Sequence, residues 1–280
     1  MNPGTSDAWR VEPLDKREIV AFCCNICGRE NAVQRSALTR EAPTCAGCES
    51  TVRMRGIVAT LSIELFGTPL KLDDFPVRKD IRGVGLSDWD RYAEPLSRKL
   101  SYKNTFYHQE PLLDITRPRP SDSARYDFLI STDVFEHVEP DVARAFAGAA
   151  QILRPGGLFL FSVPYTLEPE NLEHFPELHQ WETHRILDEW MLINRTREGK
   201  LQLHTDLIFH GGPGTTLEMR RFSRDGVIAH LKAAGFTEIV FASEVPEAGV
   251  LWLTGLSLPI IARAPARPGF PNNHGVRHWT

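Results

Sequence analysis

Residues 126 to 164, YDFLISTDVFEHVEPDVARAFAGAAQILRPGGLFLFSVP, constrain this chain most, because three consecutive elements can be read from their side-chain chemistry. Phe128 to Ile130, with Val134 and Phe135, make an apolar run too short for a helix. Val142, Phe146, Ala149, Ala150 and Leu153 then recur at helical spacing and define one buried face. Pro155-Gly156-Gly157 is expected to end that helix, since proline cannot extend it and glycine accepts the left-handed turn beyond. Leu158 to Val163 follows as a second apolar strand. Strand, helix and strand in this order make a parallel crossover. Ligands of open parallel sheets bind beyond the carboxyl ends of the strands, which directs attention to Ser131 through His137.

A chain of 280 residues, 42% of them hydrophobic, can bury one full catalytic core with a small appendage. The formal charge of -4 supplies no overall basic footprint for a phosphate-rich partner, so nucleic acid is disfavoured, though a local patch is not excluded. A small molecule or glycan suits this balance better. The opening MNPGTSDAWRVEPLDKREIV lacks the apolar core of a signal peptide, and no later segment is apolar for long enough to span a bilayer, so a cytoplasmic protein is expected. Residues 1–19 read as a flexible N-terminus and residues 266–280, rich in Pro, Gly and Asn, as a loose tail.

All five cysteines fall between positions 23 and 48. Cys24-x2-Cys27 and Cys45-x2-Cys48, seventeen residues apart, have the spacing of two knuckles that each place two thiolates on one side of a tetrahedral Zn2+. Cys23 is a spare, and Gly28 and Gly47 supply tight turns. Disulfides are the competing reading, which a reducing cytosol opposes. Four thiolates leave no open position, so the ion is expected to be structural. It would supply much of the folding free energy of a ribbon over residues 20–55 that is too small to hold its own core.

Tyr126-Asp127-Phe128-Leu129-Ile130, Glu136-His137-Val138, Leu153-Arg154-Pro155-Gly156-Gly157 and the strand from Leu158 to Pro164 together resemble the second half of class I S-adenosylmethionine-dependent methyltransferases. The resemblance implies an α/β Rossmann-like fold with a seven-stranded sheet over residues 81–265, joined to the ribbon by a helix from Gly56 to Phe66 within a connector over residues 56–80. The family's acidic residue and G-x-G-x-G turn appear here as Gly83-Val84-Gly85 followed by Leu86-Ser87-Asp88-Trp89, with no third glycine. Gly83, Gly85, Ser87 and Asp88 are therefore the implied contacts to the methionine end of the cofactor. Asp90 to Leu100 reads as a helix that Pro95 restricts to one or two turns, and Asn104 to Tyr107 as a strand.

Glu110, twenty-five residues beyond Gly85, lies near the distance at which a carboxylate accepts ribose hydroxyls. Asp114-Ile115 matches the family's acidic residue beside adenine, and Asp133, Val134 and His137 follow the first strand of the crossover as its wall. Surface solvation is the alternative for Glu110 and Asp114, and a capping or core role the alternative for His137. Residues 165–222, aromatic and histidine-rich, form a substrate-side insertion similar to one in bacterial zinc-ribbon methyltransferases of glycan-associated gene neighbourhoods. Within it His210 precedes Gly211-Gly212-Pro213-Gly214 and is the first choice as general base for a hydroxyl acceptor, ahead of His174, His179 and Glu218, with a surface or structural histidine as the alternative. A helix capped by Ser223 and running through Ala234, a strand from Thr237 to Ser243 and another from Val250 to Ala262 close the sheet.

These readings make the chain a methyltransferase of a sugar, glycan or other small hydroxylated acceptor. Two alternatives stand beside it. One is an RNA methyltransferase that grips its substrate with Arg29, Arg35, Arg40, Arg53 and Arg55 of the ribbon. The other is a non-catalytic binding protein derived from the same fold, suggested by the missing glycine.

Overall fold

The structure is a computed structural model that describes residues 18–265. The loose tail and all but the last two residues of the expected flexible N-terminus lie outside the described residues. β1 (Ile19–Cys23) and β2 (Glu30–Gln34) form an antiparallel hairpin whose turn carries the first cysteine knuckle. α1 (Val52–Phe66) begins four residues before the expected Gly56, because the Thr51 hydroxyl accepts from the Met54 amide and caps it there.

The central sheet is then laid down by β3 (Arg78–Leu86), α2 (Asp90–Lys99), β4 (Leu100–Thr105), β5 (Tyr126–Thr132), α3 (Ala143–Ile152) and β6 (Leu153–Ser162). An inserted antiparallel meander follows, β7 (Gln180–Ile186), β8 (Glu189–Arg195) and β9 (Leu201–His204). β10 (Arg220–Ser223) leads into α4 (Arg224–Ala233), whose first turn Ser223 caps as expected, and β11 (Thr237–Phe241) and β12 (Ile260–Arg263) complete the sheet.

The strand order is β11-β12-β6-β5-β3-β4, parallel from β6 to β4, with β12 antiparallel to both its neighbours. This is the expected α/β sheet with six strands among the described residues rather than seven. The seventh position, beside β4, is reduced to one parallel bridge between Leu112 and Phe106. Pro111 brings no amide to that edge, and Asp114 turns the chain away by accepting from the Thr116 amide at 2.9 Å.

Three other boundaries differ from expectation. α3 ends at Ile152, and Leu153 already pairs with Tyr126, so Pro155-Gly156-Gly157 lies within an irregular start of β6. Pro95 sits inside α2 without restricting it to two turns. Of the strand expected over residues 250–262 only β12 forms, since Gly255 donates to the Trp252 carbonyl and folds residues 252–255 into a turn.

One apolar core joins the ribbon and α1 to one face of the sheet, where Phe22, Leu38, Ile57, Leu61, Phe128 and Val250 are buried together. A second, around Phe135, Phe146, Phe159 and Phe222, fills the other face beneath α3 and α4. The insertion packs on a small core of its own, Phe175, Leu192, Leu217 and Met219. No helix of the described residues is long and apolar enough to cross a membrane.

Candidate functional site

The two knuckles bring the sulfurs of Cys24, Cys27, Cys45 and Cys48 within 4.8 Å of one another. The Sγ atoms of Cys24 and Cys48 are 3.7 Å apart and those of Cys27 and Cys45 3.5 Å. These separations far exceed a disulfide bond and match the edge of roughly 3.8 Å that a tetrahedron of Zn–S bonds of about 2.3 Å requires. Burial raises Cys24 and Cys27, whereas at Cys45 burial is outweighed by amides of Cys48 and Gly47 and the neighbouring thiols, which bring it down to about 6, so without an ion the first thiolate of the set falls on Cys45. Cys23 stays outside the cluster, against the Gly28 carbonyl. Arg55, with no exposed surface, sits beside the thiolates and donates to Ser50, Thr44, Ala248 and Gly249 while stacking on Phe22. Its charge would offset that of a four-thiolate zinc centre.

Gly83 and Gly85 lie inside β3, not in a turn. Tyr102 of β4 and Phe128 of β5 pair with Gly83 from either side, and their rings stack across it with centroids 5.9 Å apart. A Cβ on Gly83 would lie 2.0 Å from the Phe128 ring, and one on Gly85 within 2.1 Å of the Tyr102 hydroxyl and the Asp88 carboxylate. The turn itself is Leu86-Ser87-Asp88-Trp89, with exposed Ser87 at φ 54 and laced to β4 by Ser87 N to Thr105 O and Asp88 N to Asn104 Oδ1. The Asp88 carboxylate points into the protein, where Tyr92 and Tyr102 donate to it, and burial lifts it to about 7 against the pull of those hydroxyls.

Beyond β5, Asp133 receives two arginines from the ribbon. Arg40 donates to both its oxygens, at 2.6 and 2.8 Å, and Arg53 Nε lies 3.1 Å away. Burial opposes the charge, but the Arg40 and Arg53 guanidiniums hold Asp133 below the usual carboxylate range. Arg40 also binds the Ser257 carbonyl and the Ser162 hydroxyl at the end of β6, so a guanidinium fork is fixed at the carboxyl ends of the strands. Val134 is half-buried next to it. Glu110, by contrast, is exposed and accepts from the nearby Leu112 amide, and Asp114 accepts from Thr116 through one oxygen in its own turn, beside buried Ile115.

Glu136 and His137 occupy a 3-10 turn at the exit of β5, where the insertion folds back. His137 Nδ1 lies 2.8 Å from the Leu217 carbonyl, and its ring meets that of His210 edge to face at 4.7 Å. His210 Nε2 is 2.9 Å from one oxygen of Glu218, whose other oxygen is 2.8 Å from His174 Nε2. Fully buried Arg220 binds Glu173 and donates to the carbonyls of Phe135 and Val138, clamping the turn that carries His137. An open cleft of about 630 Å³ lies within the insertion, lined by Trp190, Leu207, Phe209, Gly212 and Pro213 among others but by none of the cluster's own residues. His179 lies apart from the cluster, with its amide bound to Asn194.

Sequence reasoning picks out Arg40, Arg53 and Arg55 only as a possible grip on RNA and does not reach the internal partners of these three or of Arg220, because the partners that fix the site are remote: Asp133 is 93 positions from Arg40, Gly249 194 from Arg55 and Glu173 47 from Arg220.

Residues 27–202, more than half of the chain, match the model of a family described as a methyltransferase domain. No protein of curated function matches. Among solved structures, a 1,6-didemethyltoxoflavin-N1-methyltransferase of Burkholderia thailandensis is similar at 15% identity over 76% of this chain and 79% of its own, with a TM-score of 0.41. An S-adenosylmethionine-dependent methyltransferase of Clostridium acetobutylicum aligns at 12% identity, 77% and 92% coverage and a TM-score of 0.42. An amino pentose methyltransferase of Micromonospora echinaspora aligns at 13%, 66% and 83%, with a TM-score of 0.38. Each acceptor belongs to that enzyme. The chain itself belongs to the methyltransferase-domain family and carries an S-adenosylmethionine-dependent methyltransferase domain.

Proposed function

We propose that the chain transfers a methyl group to a sugar, glycan or other small hydroxylated acceptor held between the carboxyl ends of β3 and β5 and the insertion over residues 165–222. The observation that carries this reading is the pairing of Asp133 with Arg40 and Arg53 beside the exit of β5. The amino-acid end of S-adenosylmethionine carries an ammonium and a carboxylate, and such an ion pair offers each its counter-charge. Bound there, the cofactor supplies an electrophilic sulfonium methyl.

Ser87, Asp133, Val134 and His137 are proposed to line its methionine side, while Gly83, Gly85 and Asp88 shape the turn beneath through Tyr102 and Phe128. Glu110, Asp114 and Ile115 are proposed for the nucleoside side. An acceptor hydroxyl must lose its proton as the new bond forms, and the His210 nitrogen not turned to Glu218 is available to take it. We further propose one structural zinc on Cys24, Cys27, Cys45 and Cys48, a ribbon over residues 20–55, a connector over 56–80 and the catalytic domain over 81–265. RNA fits less well: Arg35 and Arg55 are engaged within the protein, and Arg40 and Arg53 converge on the Asp133 carboxylate, a pair suited to a zwitterion rather than to a run of phosphates.

Calorimetric titration of the zinc-loaded chain with S-adenosylmethionine is expected to give one site, weakened about tenfold or more by Arg40→Ala. Incubation with a panel of sugars and hydroxylated metabolites should then yield a methylated product by mass spectrometry. Absence of cofactor binding by zinc-loaded protein would leave the non-catalytic binding protein as the better description.

A further inference from the structure

We propose that Glu136, His137 and His210 form a second metal site, open on one side, for a single divalent transition cation such as Zn2+, Co2+ or Fe2+. One donor atom from each of the three lies within 4.8 Å of the others. Glu136 is 1% exposed, and neither of its carboxylate oxygens has a hydrogen-bond partner among the described residues. A buried carboxylate without a partner is costly, and a cation at this point removes the cost.

Both histidines are already oriented as ligands. His137 Nδ1 donates to the Leu217 carbonyl, which leaves the lone pair on Nε2, 3.8 Å from Glu136 Oε1. His210 Nε2 donates to Glu218, which leaves the lone pair on Nδ1. Metal-bound imidazoles have this arrangement, with the far nitrogen fixed by a carbonyl or carboxylate that sets the tautomer and the ring plane. Glu218 is itself held by His174, so the support extends one residue further.

Bonds of about 2.0–2.2 Å would draw the donor atoms to roughly 3.0–3.5 Å from one another, a contraction within reach of side-chain rotation. Two imidazoles and a carboxylate suit a cation of borderline softness, and three protein ligands leave positions for water or an acceptor oxygen. The contrast with the four-cysteine cluster is chemical: that site is closed and sulfur-rich, this one open and made of nitrogen and oxygen. With an ion in place His210 is a ligand rather than a base, and coordination acidifies an acceptor hydroxyl in its stead. This last role rests on the methyltransferase reading; the ion site itself does not.

The test is a titration of the full chain, its cysteine site first filled with Zn2+, with Co2+. The wild type is expected to keep one zinc and bind one further cobalt whose absorption lacks thiolate charge transfer. Glu136→Gln and His210→Ala should keep the zinc and bind that cobalt about a hundredfold more weakly, and Glu218→Gln about tenfold more weakly. If these variants do not fold, pulsed electron paramagnetic resonance of the wild type loaded with Cu2+ at the second site should reveal two imidazole nitrogens. A wild type that binds no second ion, variants that bind it unchanged, or a copper spectrum without nitrogen coupling overturns the proposal. Cofactor binding is measured separately by calorimetry on protein with and without the second ion, so failure of the methyltransferase reading and failure of the ion site give different results.

Discussion

Asp88 is a buried carboxyl, 4% exposed, with two phenol hydroxyls as its partners. Burial raises it from the ordinary range near 4 to about 7, so its contribution to stability is complete below about pH 4 and is lost as pH rises through 7. Between about pH 5 and pH 8 this amounts to on the order of 2–3 kcal/mol. Denaturant unfolding at those two pH values should therefore show a smaller difference for Asp88→Asn than for the wild type; an equal difference would place the titration elsewhere. The spacing after Gly83-Val84-Gly85 marks Asp88 as part of the turn but cannot say which way it faces. That is decided by Tyr102, fourteen positions on, whose hydroxyl reaches back over Gly85. His210 is singled out in the sequence for a different reason, the tight loop that the glycines after it announce, and that loop says nothing of the Glu218 carboxylate and the His137 ring it meets. Glu136 is not, because nothing in EHV says that its carboxylate will be buried without a partner.

Among the elements, the crossover from β5 through α3 to β6 is nearly complete in the sequence because its periodicities are strong and its faces are fully buried. β7 to β9 are opaque: Gln180–Ile186 has only a half-buried face, carried by Trp181 and Thr183, so its apolar alternation is too weak to betray it. The reduction of the seventh strand to a single bridge is equally hidden, since it follows from where Asp114 bends the chain. β10 has the largest functional leverage for its length, through Arg220. Arg220→Met would strand Glu173 and two backbone carbonyls, at a cost of about 3 kcal/mol. Thermal unfolding should register that loss, and kcat should fall more than cofactor affinity, because the turn bearing His137 loosens while Arg40 and Asp133 keep their places. An unchanged melting temperature would mean that Arg220 is not holding the turn.

For the whole molecule, the ribbon and the sheet are not independent bodies sharing a tether. They share one apolar core, and Arg40 and Arg53 of the ribbon end on Asp133 at the exit of β5. Removal of zinc with a strong chelator should speed hydrogen exchange first over residues 20–55 and weaken S-adenosylmethionine binding about tenfold or more, while β5 and β6 stay protected. Cofactor affinity that survives in metal-free protein would detach the ribbon from the cofactor site. The insertion stands in another relation to the rest, with Phe175, Leu192, Leu217 and Met219 as a core that neither larger cluster shares. Because that core is separate, a lineage can swap the surface of the meander, keeping Arg220 and its clamp, without repacking the sheet; if the meander meets the acceptor as proposed, recognition is free to diversify while the rest of the fold stays constant.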